Sequence, residues 1–321
     1  MKEYDVIALG ELLIDFTENG VSSQNNPLFE ANPGGAPCNV LAMLASLGKK
    51  TAFIGKVGDD IFGHLLKDTL VDVSIDTKGL VIDKKCNTTL AFVHTLKGGE
   101  REFSFYRNPG ADELLSFDEV DYELIKSSKV FHFGTLSMTN EVAEKATKSA
   151  IKFAKENGCL ISFDPNLREN LWSDLFIAKE KVEYGLRYTD ILKISDNEIV
   201  WFTGEQDYDK AVSILQREYK IPLILVSLGN DGSLAYSNGN KAYVPCYKVD
   251  CIEKTGAGDT FFGCVLSEVL DRNKLEYSKE ELEEILSFAN AGAALITTKR
   301  GALKVMPSRS EIEQLIHEQS R

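Results

Sequence analysis

Short apolar runs alternate along the chain with stretches in which apolar residues recur every three or four positions. The runs are DVIALG (5–10), KTAFIG (50–55), KVFHFG (129–134), CLISFD (159–164), DILKIS (190–195) and PLILVSLG (222–229). Their near-continuous apolar character predicts strands covered on both faces, as in a parallel sheet. Helical spacing is clearest at 139–157, where Val142, Ala146, Ala150 and Phe153 recur and Gly158 is placed as a stop. Strand–helix alternation over 321 residues predicts one large α/β domain with a mostly parallel sheet and right-handed crossovers.

Two segments break the rhythm. Residues 12–35 hold two apolar stretches around a polar, turn-rich loop, and 88–107 read as two strands joined by Gly98-Gly99, a hairpin-turn signal. Phe103, Phe105 and Arg107 share one face of the second strand. Ribbons inserted in a parallel α/β chain predict a small β-sheet lid that closes over a site and keeps water out. A hairpin serving only to join two copies is the other reading, and the exposed edges allow a homodimer through the lid.

Charge narrows the partners. The formal net charge is −13, which argues against the basic surfaces that nucleic acids and anionic membranes require, though not against a local site for a small anion. The six cysteines form no C-x-x-C pair and lie mostly in apolar runs, as expected of reduced thiols in a cytoplasmic protein. The first residues mix charges into their apolar run, so no signal peptide is expected, and no apolar stretch reaches membrane-spanning length.

Candidate chemistry collects where the apolar runs end: Asp15, Asp164 with Asn166, Ser195 with Glu198, and Ser227 with Gly229. Ligands of open α/β sheets bind beyond the carboxyl ends of the strands. The sharpest motif is KTGAGDTFFG (254–263). It lacks the G-x-x-x-x-G-K-[ST] of a P-loop, and as a dinucleotide fingerprint it has Phe261 in place of the last glycine. A Gly-Ala-Gly turn opening a helix presents free N–H groups to an anion. An acid there could merely favour the helix dipole, which would explain Asp259 but not Gly256, Ala257 and Gly258 before it. Phosphoryl transfer to an alcohol explains both: the turn cradles the phosphate, and Asp259 takes the hydroxyl proton.

On these residues the chain resembles the ribokinase-like (PfkB) carbohydrate kinases, over essentially its whole length. NPGGAPCNVLAMLASLG (32–48) and KTGAGDTFFGCVL (254–266) match the two family signatures, and FYRNPGAD (105–112), FDPNLR (163–168), KISDNE (193–198), VSLGNDG (226–232) and FANAGAALITTKRGA (288–302) follow in family order. The wording is nearest to fructokinases. The resemblance implies a ribokinase-like α/β/α sandwich with a small lid, and ATP with Mg²⁺ as the phosphate source. It implies Asp259 as base with Gly256, Ala257 and Gly258 as anion hole. Asp15, Gly34, Gly35, Asn39, Arg107 and Arg168 fall on the sugar side. Lys193, Ser227, Gly229, Gly232 and Asn290 fall on the nucleotide side, and Glu198 organises the metal through water.

Two positions depart from the family pattern. Ser195 stands where Asn is frequent, three residues before Glu198. Glu253-Lys254-Thr255 replaces Asp-Thr-Thr before the glycine turn, which predicts little activation by potassium. Fructose is the expected acceptor; 2-keto-3-deoxygluconate, ribose or another sugar is the alternative. A non-catalytic sugar or nucleotide binder would be expected to lack the acid at 259, and a nicotinamide-linked dehydrogenase would need the missing fingerprint.

Overall fold

The computed structural model describes residues 2–95 and 101–319. In chain order its elements are β1 (Tyr4–Leu9), β2 (Leu13–Val21), β3 (Pro27–Gly34), α1 (Ala36–Ser46), β4 (Thr51–Gly58), α2 (Ile61–Asp72), β5 (Ile75–Asp83), β6 (Leu90–Thr95), β7 (Arg101–Tyr106), α3 (Tyr122–Lys126), β8 (Ser128–Phe133), α4 (Glu141–Glu156), β9 (Leu160–Phe163), α5 (Leu175–Leu186), β10 (Ile191–Ser195), α6 (Asp196–Thr203), α7 (Tyr208–Tyr219), β11 (Leu223–Ser227), β12 (Ser233–Ser237), β13 (Asn240–Val244), α8 (Ala257–Arg272), α9 (Lys279–Ile296) and α10 (Arg309–Gln319).

The large sheet has nine strands in the order β13-β12-β11-β10-β9-β8-β1-β4-β5. β12 pairs antiparallel with both β11 and β13, and the other seven strands pair in parallel with one another. Side chains of successive strand residues point to opposite faces, and both faces are covered. Val6 and Ala8 of β1, with Leu223 and Leu225 of β11, pack under α1, α8, α9 and α10. Ile7 and Leu9, with Ile224 and Val226, pack under α4 to α7. This is the three-layer sandwich expected from the apolar runs.

Details differ from the sequence pattern. Helix α4 begins two residues late, behind Asn140, whose side chain accepts the Val142 amide. It buries Ala143, Ala146, Ala150 and Ile151, while Val142 is 38% exposed. Strands β5, β12 and β13 have no long apolar run, because they lie at or next to the edges of the sheet.

The second sheet is β3-β2-β6-β7. β2 pairs antiparallel with β3 and β6 with β7, but the two ribbons join through a parallel β2–β6 contact. The Gly98-Gly99 turn lies outside the described residues. Among the described residues, no helix is long and apolar enough to cross a membrane, and all six cysteines are free thiols.

Candidate active site

The carboxyl ends of β1, β9 and β10 lead into a cavity of about 300 Å³, which the small sheet borders with Leu13, Asp15 and Phe105. From the large sheet and its helices come Glu11, Gly35, Asn39, Asn166, Arg168, Lys193 and the loop Lys254–Asp259. Residues far apart in sequence are brought together because parallel strands present all their carboxyl ends on one edge.

Gly256 is the N-cap of α8 and has φ 75°, a left-handed conformation that glycine adopts without penalty. The first helical bond runs from Thr260 N to Gly256 O at 2.8 Å. The amides of Gly258 and Asp259 therefore have no intrahelical acceptor. A β-carbon at Gly258 would stand 3.1 Å from Lys193 Nζ. The turn thus needs its small residues, and an ammonium stands beside the free amides. That combination holds anions.

Asp259 is 9% exposed. Burial raises its carboxyl above the ordinary aspartate value, opposed by the Asn39 hydrogen bond and by the charges of Lys193 and Arg168. Asn39 Nδ2 donates to Asp259 Oδ2 at 2.8 Å. The other end of that amide, Oδ1, is buried without a hydrogen-bond partner, in a residue that lines the cavity. Asp15 lies over Gly34, where a β-carbon would be 2.5 Å from Asp15 Oδ2, and a β-carbon at Gly35 would be 2.4 Å from the Glu11 carbonyl oxygen. At Gly35, with backbone so close and φ 129°, only glycine fits.

A second cavity of about 290 Å³ shares Asn166, Arg168 and Lys193 with the first and adds Ser195, Asn197, Glu198 and Trp201. Lys193 Nζ pairs with Asp164 at 2.9 Å, both side chains being buried. Burial lifts Asp164 to about 6, with the Glu198 and Asp259 charges adding to it against the pull of Lys193. Glu198 accepts Ser195 N and Oγ, both at 2.8 Å, and Leu167 N at 2.7 Å. Burial opposes its charge, yet Lys193 and these donors bring its carboxyl below the usual range. Ser195 is therefore the N-cap that holds Glu198 in a reciprocal capping box. Among the described residues no group of three or more His, Cys, Asp or Glu could hold a metal ion. Glu198, a charged acid at the cavity wall, fits a cation held mainly by ligand phosphates and water.

Not every sequence candidate is brought here. Arg107 is not among the cavity-lining residues but is buried, with a side chain 2% exposed. Its Nε and Nη2 donate to Asp112 Oδ2 at 2.9 and 2.7 Å, Nη1 to Thr139 Oγ1 at 2.8 Å and Nη2 to Leu136 O at 3.0 Å. It anchors the base of β7. Asn290 is likewise engaged, accepting Ser233 Oγ at 2.8 Å and donating to Val244 O at 2.9 Å, so it ties α9 to β12 and β13. Ser227 pairs with Ser195 at the same sheet edge. Gly229 and Gly232 follow in the turn to β12, where a β-carbon at Gly232 would meet Val244 O at 2.2 Å. Gly34 lies under Asp15 rather than at the wall. In the sequence Glu11 carries no motif, Asp164 and Asn166 stand out only as strand-end residues, and Lys254 only as a departure from the family pattern.

Residues 4–309 match the pfkB family carbohydrate kinases. The chain is 42% identical over 313 residues to a fructokinase-1 of Oryza sativa subsp. japonica, covering 97% of each chain. It superimposes with a TM-score of 0.91 and 30% identity on a Xylella fastidiosa fructokinase with bound ATP, over 100% of both chains. A Vibrio cholerae O395 fructokinase double mutant with bound fructose, ADP and potassium ion gives a TM-score of 0.87 at 29% identity, over 98% of this chain and 99% of that one.

Proposed function

The chain belongs to the pfkB family of carbohydrate kinases, and from that membership we propose that the cavity between the two sheets is where ATP phosphorylates fructose, with Asp259 as general base. The protein is an ATP-dependent fructose kinase. The observation that carries the assignment of the base is the position of Asp259: a buried carboxylate in the first turn of α8, beside the free Gly258 amide and a cavity-lining asparagine.

Fructose lies against Asp15, Gly35 and Asn39, where its hydroxyls meet a carboxylate and the unpartnered Asn39 Oδ1. Asp259 takes the proton of the 6-hydroxyl as that oxygen attacks the γ-phosphorus. The bond to the β–γ bridging oxygen breaks, leaving ADP and fructose 6-phosphate. Gly256, Ala257 and Gly258 hold the transferring group through amides of the helix start, and Lys193 and Arg168 oppose its charge. Mg²⁺, held by the nucleotide phosphates and through water by Glu198, would neutralise phosphate charge. The adenosine lies toward Ser227, Gly229 and Gly232, with Asn290 supporting that wall from behind.

The small sheet acts as a lid, because Asp15 and Phe105 belong to it and the catalytic residues do not. Its aromatic cluster, in which Phe92 stacks on Phe16 at 4.9 Å with the exposed Phe29 and Tyr106 at its edges, supports pairing of two lids in a homodimer. Free thiols throughout support a cytoplasmic setting.

The test is a panel of fructose, ribose, glucose, tagatose and 2-keto-3-deoxygluconate with ATP and Mg²⁺, following ADP release and locating the phosphate by ³¹P NMR. We expect kcat/KM to peak at fructose with phosphate on the 6-hydroxyl. A higher value for the keto acid, whose carboxylate could use Arg168 or Lys254, refutes the acceptor assignment.

A further inference from the structure

Glu11 follows β1 and has no part in the mechanism above. It is 3% exposed, yet it lines the cavity. Its Oε1 accepts the amide of Ala36 at 2.9 Å. Ala36 opens α1, and the N-cap of that helix, Gly35, has no side chain to offer. The Glu11 carboxyl thus supplies the cap that glycine cannot, while the Glu11 main chain packs against Gly35 from below.

The consequence runs along α1. Asn39 N donates to Gly35 O at 2.9 Å, so Asn39 stands one turn above the segment that Glu11 pins. From there its Nδ2 reaches Asp259, and its unpartnered Oδ1 awaits a donor. Burial pushes the Glu11 carboxyl up to about 7, against its own and the Ala36 amides and the charge of Arg107. Protonated or not, it keeps an oxygen to accept from Ala36.

We propose that Glu11 is a positioning residue for phosphoryl transfer, fixing the start of α1 and thereby setting Asn39 against both Asp259 and the acceptor hydroxyl. The inference rests on the kinase reading of the cavity. A misplacement of this kind acts on the acceptor and the base but not on the nucleotide, and small displacements of reacting groups lower rates by up to about 100-fold.

The experiment is steady-state kinetics of wild type, Glu11→Ala, Glu11→Gln, Asn39→Ala and the Glu11→Ala/Asn39→Ala double variant. Glu11→Ala is expected to lower kcat/KM for fructose by about 30-fold or more, with KM for ATP unchanged within about three-fold. Glu11→Gln, which keeps an acceptor for Ala36, is expected to recover at least ten-fold of any larger loss. In the Asn39→Ala background, Glu11→Ala is expected to add less than about three-fold, because both act through one element. Should Glu11→Ala not fold in a thermal melt, Glu11→Met carries the same expectation at conserved volume. Wild-type kcat/KM in the alanine variant, a parallel rise in both KM values, or losses that multiply in the double variant would each overturn the proposal alone. A wild type that does not phosphorylate fructose overturns the kinase reading, and the proposal with it.

Discussion

Asn39 holds Asp259 by a 2.8 Å hydrogen bond between residues 220 positions apart in sequence. The bond joins the first turns of α1 and α8, so the two glycine-rich turns of the chain face one cavity. It favours the charged form of an acid whose carboxyl burial raises.

Replacing Asp259 by asparagine keeps the shape of the side chain but removes the proton acceptor. We expect kcat to fall about 100-fold or more, with ATP affinity by calorimetry and the melting temperature close to wild type. Near-normal turnover would refute the assignment of the base.

The pH dependence follows from the same acid. A base works only when deprotonated, and the Asp259 carboxyl is raised by burial. Turnover should therefore fall with decreasing pH along a limb whose midpoint lies above the ordinary aspartate value. Removing the Asn39 donor takes away a contribution that lowers it, so Asn39→Ala should move this limb to higher pH. A pH–kcat profile showing a limb displaced to lower pH would contradict the coupling.

Arg107→Ala should act on stability rather than on sugar affinity. It would strand the Asp112 carboxylate, whose side chain is 2% exposed, and breaking such a buried pair costs about 3–5 kcal/mol. We expect a large drop in the urea midpoint and an unchanged KM for fructose in protein that remains folded. A raised KM without loss of stability would return Arg107 to the acceptor site.

Monovalent cations should matter little. Glu253 accepts the amide of Gly301 at 3.2 Å and the Thr255 hydroxyl at 2.6 Å, while the exposed Lys254 brings a positive charge to the cavity wall. Rates in sodium and potassium buffers of equal ionic strength, and hence equal screening, should agree within about two-fold. Saturable potassium activation well beyond that would show that Lys254 does not displace the cation.

The sequence by itself determined the class of the fold and the position of the proposed base. The buried parallel strands are apolar on both faces, so each can be recognised without its neighbours, and Gly-Ala-Gly-Asp carries its own backbone conformation and its own acid. The edge strands β5 and β13 escaped notice because their partial exposure leaves them without an apolar run. What each polar side chain does was decided by tertiary structure. Arg107 and Arg168 are both arginines near the ends of strands, yet one is enclosed by Asp112, Thr139 and Leu136 while the other lines the cavity. Glu11, in sequence an unremarked charge after a strand, becomes the cap of α1 only when Ala36 is brought to it. Periodicity and turn chemistry are local and survive in the unfolded chain. Desolvation and hydrogen-bond partners come from other segments, 25 residues away for Glu11 and Ala36 and 220 for Asn39 and Asp259, and exist only once the sheet has gathered its strand ends on one edge.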